Sequence, residues 1–163
     1  FKHNKEMKMT LQEVKDERKN SEGDPQVKGR IRRLQYQASA NRMMQAVPEA
    51  DVIVTNPTHF SVAIKYEQNG DRAPVMVAKG ADELAMHIRK IANAHDIPII
   101  ESPMLARAIF YSTEPDNEIP AKLFMAVAQV LAYVYQMKAY RKGKATRPKA
   151  LKKNLPIPSE LRR

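Results

Sequence analysis

The side chains in this sequence best suited to chemistry stand together at Asn56-Pro57-Thr58-His59. An asparagine side-chain nitrogen can attack its own main-chain carbonyl, close a five-membered succinimide and expel the nitrogen that follows. Here that nitrogen belongs to Pro57. Ordinary asparagine ageing instead uses the backbone N–H of the next residue, which proline lacks, so the competing reaction is closed. Histidine as a residue type exchanges protons near neutral pH. His59 is therefore placed to take a proton from the attacking amide or to pass one to the leaving proline nitrogen, and Thr58 is expected to help fix the turn. On residues alone a plain turn remains open, since Asn-Pro is a common turn signal and the residue before proline is pushed toward extended backbone.

Such chemistry needs a rigid frame, and the flanks supply candidates. Asp51-Val52-Ile53-Val54-Thr55 is β-branched and Phe60-Ser61-Val62-Ala63-Ile64-Lys65-Tyr66 alternates, so both read as strands. The few residues between them allow only antiparallel pairing if they are neighbours. Gln68-Asn69-Gly70-Asp71 is a second turn signal before a third strand at Val75 to Ala78, closed by Lys79-Gly80. Leu84, Ala85, Ile88, Ile91 and Ala92 predict an amphipathic helix over 82–93, and Ile97 to Glu101 a fourth strand. This strand–helix–strand order predicts that strands three and four run parallel through a right-handed crossover.

Ser102-Pro103 predicts a capped helix with Leu105, Ala108 and Ile109 inward, and residues 113–118 an acidic loop. Pro120 opens the most apolar helix, with Leu123, Val127, Val130, Leu131 and Val134 toward the sheet. Upstream, 2–19 has only a thin apolar line at Met7, Leu11 and Val14. After the break at Ser21-Glu22-Gly23, Asp24 can cap a helix that Pro25 begins. In that helix Val27, Ile31, Leu34 and Ala38 recur at helical spacing beside Lys28, Arg30, Arg32 and Arg33, and Pro48 ends it. The expected architecture is α/β: a small mixed four-stranded sheet flanked by helices. A linker helix over 1–23 precedes the domain at 24–140, and a mobile basic tail, 141–163, is held only at Leu155-Pro156-Ile157-Pro158.

The 163 residues suit one domain of modest core, and the absence of cysteine removes disulfides and thiolate metal ligands. No run of about twenty apolar residues occurs; 123–137 is short and broken by Gln129 and Gln136. The net charge of +10 is concentrated at the two ends, while 47–140 is mildly acidic. Basic ends suit an anionic membrane face or nucleic acid equally. His3, His87 and His95 have no metal-ligand spacing, so no metal is expected. Ser61 and Thr58 lack a nucleophile-elbow pattern, and Lys79-Gly80 lacks the glycines of a phosphate loop, so neither a turnover hydrolase nor a bound cofactor is expected.

The stretch Val54-Thr55-Asn56-Pro57-Thr58-His59-Phe60-Ser61-Val62-Ala63-Ile64-Lys65-Tyr66 resembles the cleavage region of the flagellar FlhB and injectisome YscU family, the autocleaving switch proteins of type III export. Gly23-Asp24-Pro25-Gln26-Val27-Lys28-Gly29-Arg30-Ile31-Arg32, Val77-Ala78-Lys79-Gly80-Ala81 and Pro98-Ile99-Ile100-Glu101-Ser102-Pro103 with Leu105-Ala106-Arg107 also match, leaning to the flagellar branch. The resemblance implies a single self-cutting event at Asn56-Pro57 that changes which export substrates are accepted. Burial of Val52-Ile53-Val54 in the first strand predicts that the two pieces then stay associated. Implied partners are other export-gate proteins, a hook-length-control protein, and export substrates and chaperones, with no nucleic acid. It also implies a membrane-embedded half ending just before Phe1, so that this domain lies at the cytoplasmic face of the bacterial inner membrane. The rival reading is a basic module for nucleic acid or anionic lipid in which Asn56-Pro57 is only a turn.

Overall fold

A computed structural model describes residues 25–57 and 59–162, so the expected linker helix, the Asp24 cap and Thr58 lie outside the described residues. The chain divides into two units, 1–41 and 42–163. The described part of the first is the opening of helix α1, Pro25–Ala46, which continues into the second. Pro25 begins this helix because its fixed φ suits the first turn and its missing N–H costs no hydrogen bond there. The apolar line through it does not become a core: no residue of α1 is buried, and Ile31 and Leu34 are 48% and 60% exposed. A short 3-10 turn carrying Pro48, Val47–Glu49, follows its end.

In the second unit the strands are β1 (Val52–Asn56), β2 (Phe60–Lys65), β3 (Val75–Ala81), β4 (Ile99–Glu101) and β5 (Asn117–Glu118). Helix α2 (Asp82–Ala94) joins β3 to β4, α3 (Pro103–Ser112) follows β4, and α4 (Phe124–Arg141) follows β5. The sheet order is β4-β1-β2-β3-β5, mixed as expected but with five strands rather than four. The added strand falls in the segment read as an acidic loop. Its two residues are exposed and polar and give no pattern, but the outer edge of β3 binds them: Asp116 N–H donates to the Met76 carbonyl (2.7 Å) and Ile119 N–H to the Pro74 carbonyl (2.8 Å).

β3 and β4 do run in one direction, yet they are not neighbours. β1 pairs antiparallel with β2 and parallel with β4, placing two strands between them. β4 is also shorter than expected, since Pro98 precedes it with only its carbonyl available; that carbonyl accepts the Ile53 N–H at 2.9 Å.

Because the sheet is covered on both faces, its central strands are nearly continuous in apolar residues. One face, through Val52, Val54, Val62, Ile64 and Met76, packs on Leu105 and Ile109 of α3 and on Val127, Val130 and Val134 of α4. The other, through Ile53, Ala63, Val77 and Ala78, packs on Ile88 and Ala92 of α2 and on Val47. Ser102 was expected to cap α3. It occupies the capping position without a side-chain capping bond, and its backbone serves instead: its N–H donates to the Thr55 carbonyl and its carbonyl accepts the Ala106 N–H. Pro120 opens a 3-10 turn, Ala121–Leu123, that leads into α4. The tail includes a short 3-10 turn, Ser159–Leu161, and buries Leu155 and Ile157 against the α3–α4 side, with Leu151 and Leu161 beside them.

Candidate functional site

β1 and β2 form a hairpin in the register Val54↔Val62, Thr55↔Ser61, Asn56↔Phe60, leaving 57–59 as its loop. Asn56 is half-buried at the end of β1, while Pro57 and His59 are exposed. The His59 N–H donates to the Asn56 carbonyl at 2.9 Å, closing the turn. This is the carbonyl that precedes Pro57. A nucleophile adding to its carbon drives negative charge onto an oxygen that already accepts this N–H.

Further contacts hold this hairpin end. The Asp82 N–H donates to the His59 carbonyl (3.0 Å), and the Ser102 N–H donates to the Thr55 carbonyl (3.0 Å). The Thr55 hydroxyl donates to the Phe60 carbonyl (2.9 Å) and lies 3.1 Å from the Ser61 hydroxyl. Period-two alternation puts Thr55 and Ser61 on the α2 face, where the Arg89 Nη1 stands 3.4 Å from each hydroxyl oxygen. Asp82 adopts φ 50°, the left-handed region where a non-glycine residue is uncommon, at the tight junction of β3 with α2. Gly80 makes that junction possible: a Cβ there would meet Leu84 Cγ at 2.7 Å and Leu84 Cβ at 2.9 Å.

An aromatic group covers the other side of β2. The Phe60 ring lies 4.5 Å from that of Phe110 and 5.6 Å from that of Tyr111, and the His59 ring centre is 5.9 Å from that of Phe60. Lys79 lies in the same region, its Nζ donating to the Phe110 and Thr113 carbonyls (2.8 and 2.9 Å) and sitting 5.0 Å from the Phe110 ring centre. Lys79 thus satisfies carbonyls at the end of α3, where a cation also complements the helix dipole.

The structure brings Asn56, Pro57 and His59 together in one exposed turn; the fourth expected site residue, Thr58, lies outside the described residues. Segments far away in sequence supply its frame: Gly80 to Asp82, Arg89 and Ser102. Sequence reading passed over Thr55 and Arg89, and weighed Ser61 only as a nucleophile. Their trace was present, because hydroxyls at 55 and 61 are mirror positions about the turn in an otherwise apolar face, but the arginine on a distant helix carries no such mark.

Comparison with known proteins gives concordant results. A model of the FlhB HrpN YscU SpaS family matches residues 1–134. The Salmonella typhimurium protein named flagellar biosynthetic protein FlhB is 50% identical over 161 residues, covering 99% of this chain but 42% of its own length. The Bacillus subtilis protein of that name is 49% identical over 138 residues, 85% of this chain and 38% of its own. This chain therefore spans about two fifths of these relatives. The crystal structure of the FlhB cytoplasmic domain from Shewanella putrefaciens superposes with TM-score 0.73 at 48% identity, covering 76% of this chain and 95% of that one. A mutated EscU C-terminal domain superposes with TM-score 0.53 at 30% identity, covering 55% and 90%.

Proposed function

This chain belongs to the FlhB HrpN YscU SpaS family, and from that premise we propose that it is the cytoplasmic switch domain of a flagellar type III export apparatus, cutting itself once between Asn56 and Pro57. In this reading the Asn56 Nδ2 attacks the Asn56 carbonyl carbon and loses a proton. The bond to the Pro57 nitrogen breaks, and that nitrogen leaves with a proton as a new N-terminus. His59 assists the proton transfers, and Thr58 helps fix the turn. The reaction occurs once per molecule, within the chain. The observation that carries the reading is the 2.9 Å bond from the His59 N–H to the Asn56 carbonyl, which braces the oxygen that becomes negative during addition.

The cut falls in an exposed loop between strands that pair along their length, so its effect is on the surface around Pro57 rather than on the core. The changed surface alters which class of export substrate is accepted. The domain lies at the cytoplasmic face of the bacterial inner membrane, beneath a membrane-embedded half. There it meets other export-gate proteins, a hook-length-control protein, substrates and their chaperones. By this reading 24–140 forms the cutting domain, 1–23 the link to the membrane half and 141–163 the basic tail.

Intact-mass analysis of freshly synthesised, denatured chain tests the chemistry. Cyclisation yields pieces 1–56 and 57–163 whose masses at first sum to that of the uncut chain, because the succinimide adds no water. Hydrolysis by an outside nucleophile adds one water from the outset. Asn56→Ala abolishes cutting under the first scheme, and a cut Asn56→Ala chain would refute it.

A further inference from the structure

The polar group beneath the hairpin end is a closed set of donors and acceptors. Thr55 is 4% exposed and Ser61 fully buried, in a face otherwise built from Ile53, Ala63 and Val77. The Thr55 hydroxyl proton is committed to the Phe60 carbonyl at 2.9 Å, so the Ser61 hydroxyl donates to Thr55 Oγ1 at 3.1 Å. Each oxygen then has a lone pair left, and the Arg89 Nη1 reaches both at 3.4 Å. Without that nitrogen the buried Ser61 oxygen has no donor of its own and competes with the Phe60 carbonyl for the Thr55 proton, which weakens the bond between Thr55 and that carbonyl. Phe60 is the cross-strand partner of Asn56. A disturbance at Arg89 therefore reaches the reacting residue through one pair of strand positions.

We propose that Arg89 is a positioning residue for cleavage: through Thr55 and Ser61 it holds the ends of β1 and β2 so that the Asn56 amide is held in line with its own carbonyl carbon. The proposal rests on the cyclisation reading above. Arg89 touches neither bond that changes, and its role is geometric. Small misplacements of reacting groups are expensive in rate, up to about a hundredfold for an ångström, so loss of the clasp slows cutting by about tenfold or more. Both contacts come from a single nitrogen, so a lysine ammonium, which has three donors on one nitrogen, can stand in for it.

The test is a time course of cutting in newly translated chain, comparing parent, Arg89→Met and Arg89→Lys, with thermal melting of each protein carrying Asn56→Ala so that no cutting intervenes. The expected result is at least tenfold slower cutting in Arg89→Met in a protein that still melts cooperatively above the assay temperature, with most of the rate regained in Arg89→Lys. Cutting of Arg89→Met at the parent rate overturns the proposal. So does slowing that Arg89→Lys leaves unrelieved, since only the shape of arginine would then matter. If Arg89→Met fails to fold, Thr55→Val and Ser61→Ala remove the acceptors instead: slowing in both supports the clasp, and parent rates in both overturn it. A parent chain that never cuts is a separate outcome, which refutes the cyclisation reading itself.

Discussion

β1 belongs to the piece ending at Asn56, yet it lies inside the sheet, paired with β2 on one side and β4 on the other, both of which belong to the other piece. Val47, Val52, Ile53 and Val54 are all fully buried. At about 1.5–3 kcal/mol each, withdrawing them exposes roughly 6–12 kcal/mol of apolar burial, before the strand's backbone hydrogen bonds are counted. The pieces should therefore stay together after cutting. Ile53→Ala loosens them measurably: truncating a buried isoleucine costs about 2–5 kcal/mol. At 1.4 kcal/mol per factor of ten, retention weakens roughly 30- to 4,000-fold. The assay is size-exclusion chromatography of fully cut protein over a dilution series, with an affinity tag on the 57–163 piece to recover its partner. Parent pieces co-elute at concentrations where the Ile53→Ala pieces separate. Two separately eluting parent pieces at micromolar concentration, or an Ile53→Ala pair held as tightly as the parent, would show that burial of β1 is not what keeps the cut domain whole.

Three other outcomes follow from the site. His59→Ala cuts roughly 10²–10⁴-fold more slowly than the parent, the usual loss for a positioned acid or base, without unfolding the domain; gel analysis of a timed incubation reads this, and an unchanged rate would leave only the His59 backbone with a role. Pro57→Ala restores an N–H to the following residue and releases the fixed φ of about −65°. The chain then stays mostly intact, with slow conversion of Asn56 to aspartate or isoaspartate seen by peptide mapping, and undiminished cutting would remove the physical case for side-chain cyclisation. Gly80→Ala forces a methyl group against Leu84 at 2.7 Å; overpacking of this kind costs about 1–3 kcal/mol, lowering the melting midpoint, and adding Leu84→Ala should recover part of it.

The local chemistry and most of the elements were legible in the sequence because they depend on near neighbours. Whether an asparagine can expel a proline nitrogen is a matter of two adjacent residues. The strands around them announce themselves by β-branching and alternation, and the helices after β3, β4 and β5 by spacing that places Ile88, Ile109 and Val130 inward, as observed. Strand order was not legible, since β1 and β2 come between β3 and β4 through pairings between strands distant in sequence, which no pattern within a strand encodes. β5 was hidden because two exposed polar residues have no period, and the unpaired edge of β3 captures them. The apolar line of α1 has helical spacing yet no residue of that helix is buried, because periodicity records only which side a helix could bury. At the site, the sequence determined which bond could break. The tertiary structure alone decided what steadies it: Asp82, Arg89 and Ser102 meet the hairpin end through contacts whose partners lie 23 to 47 residues away, and no local pattern encodes a hydrogen bond across that separation.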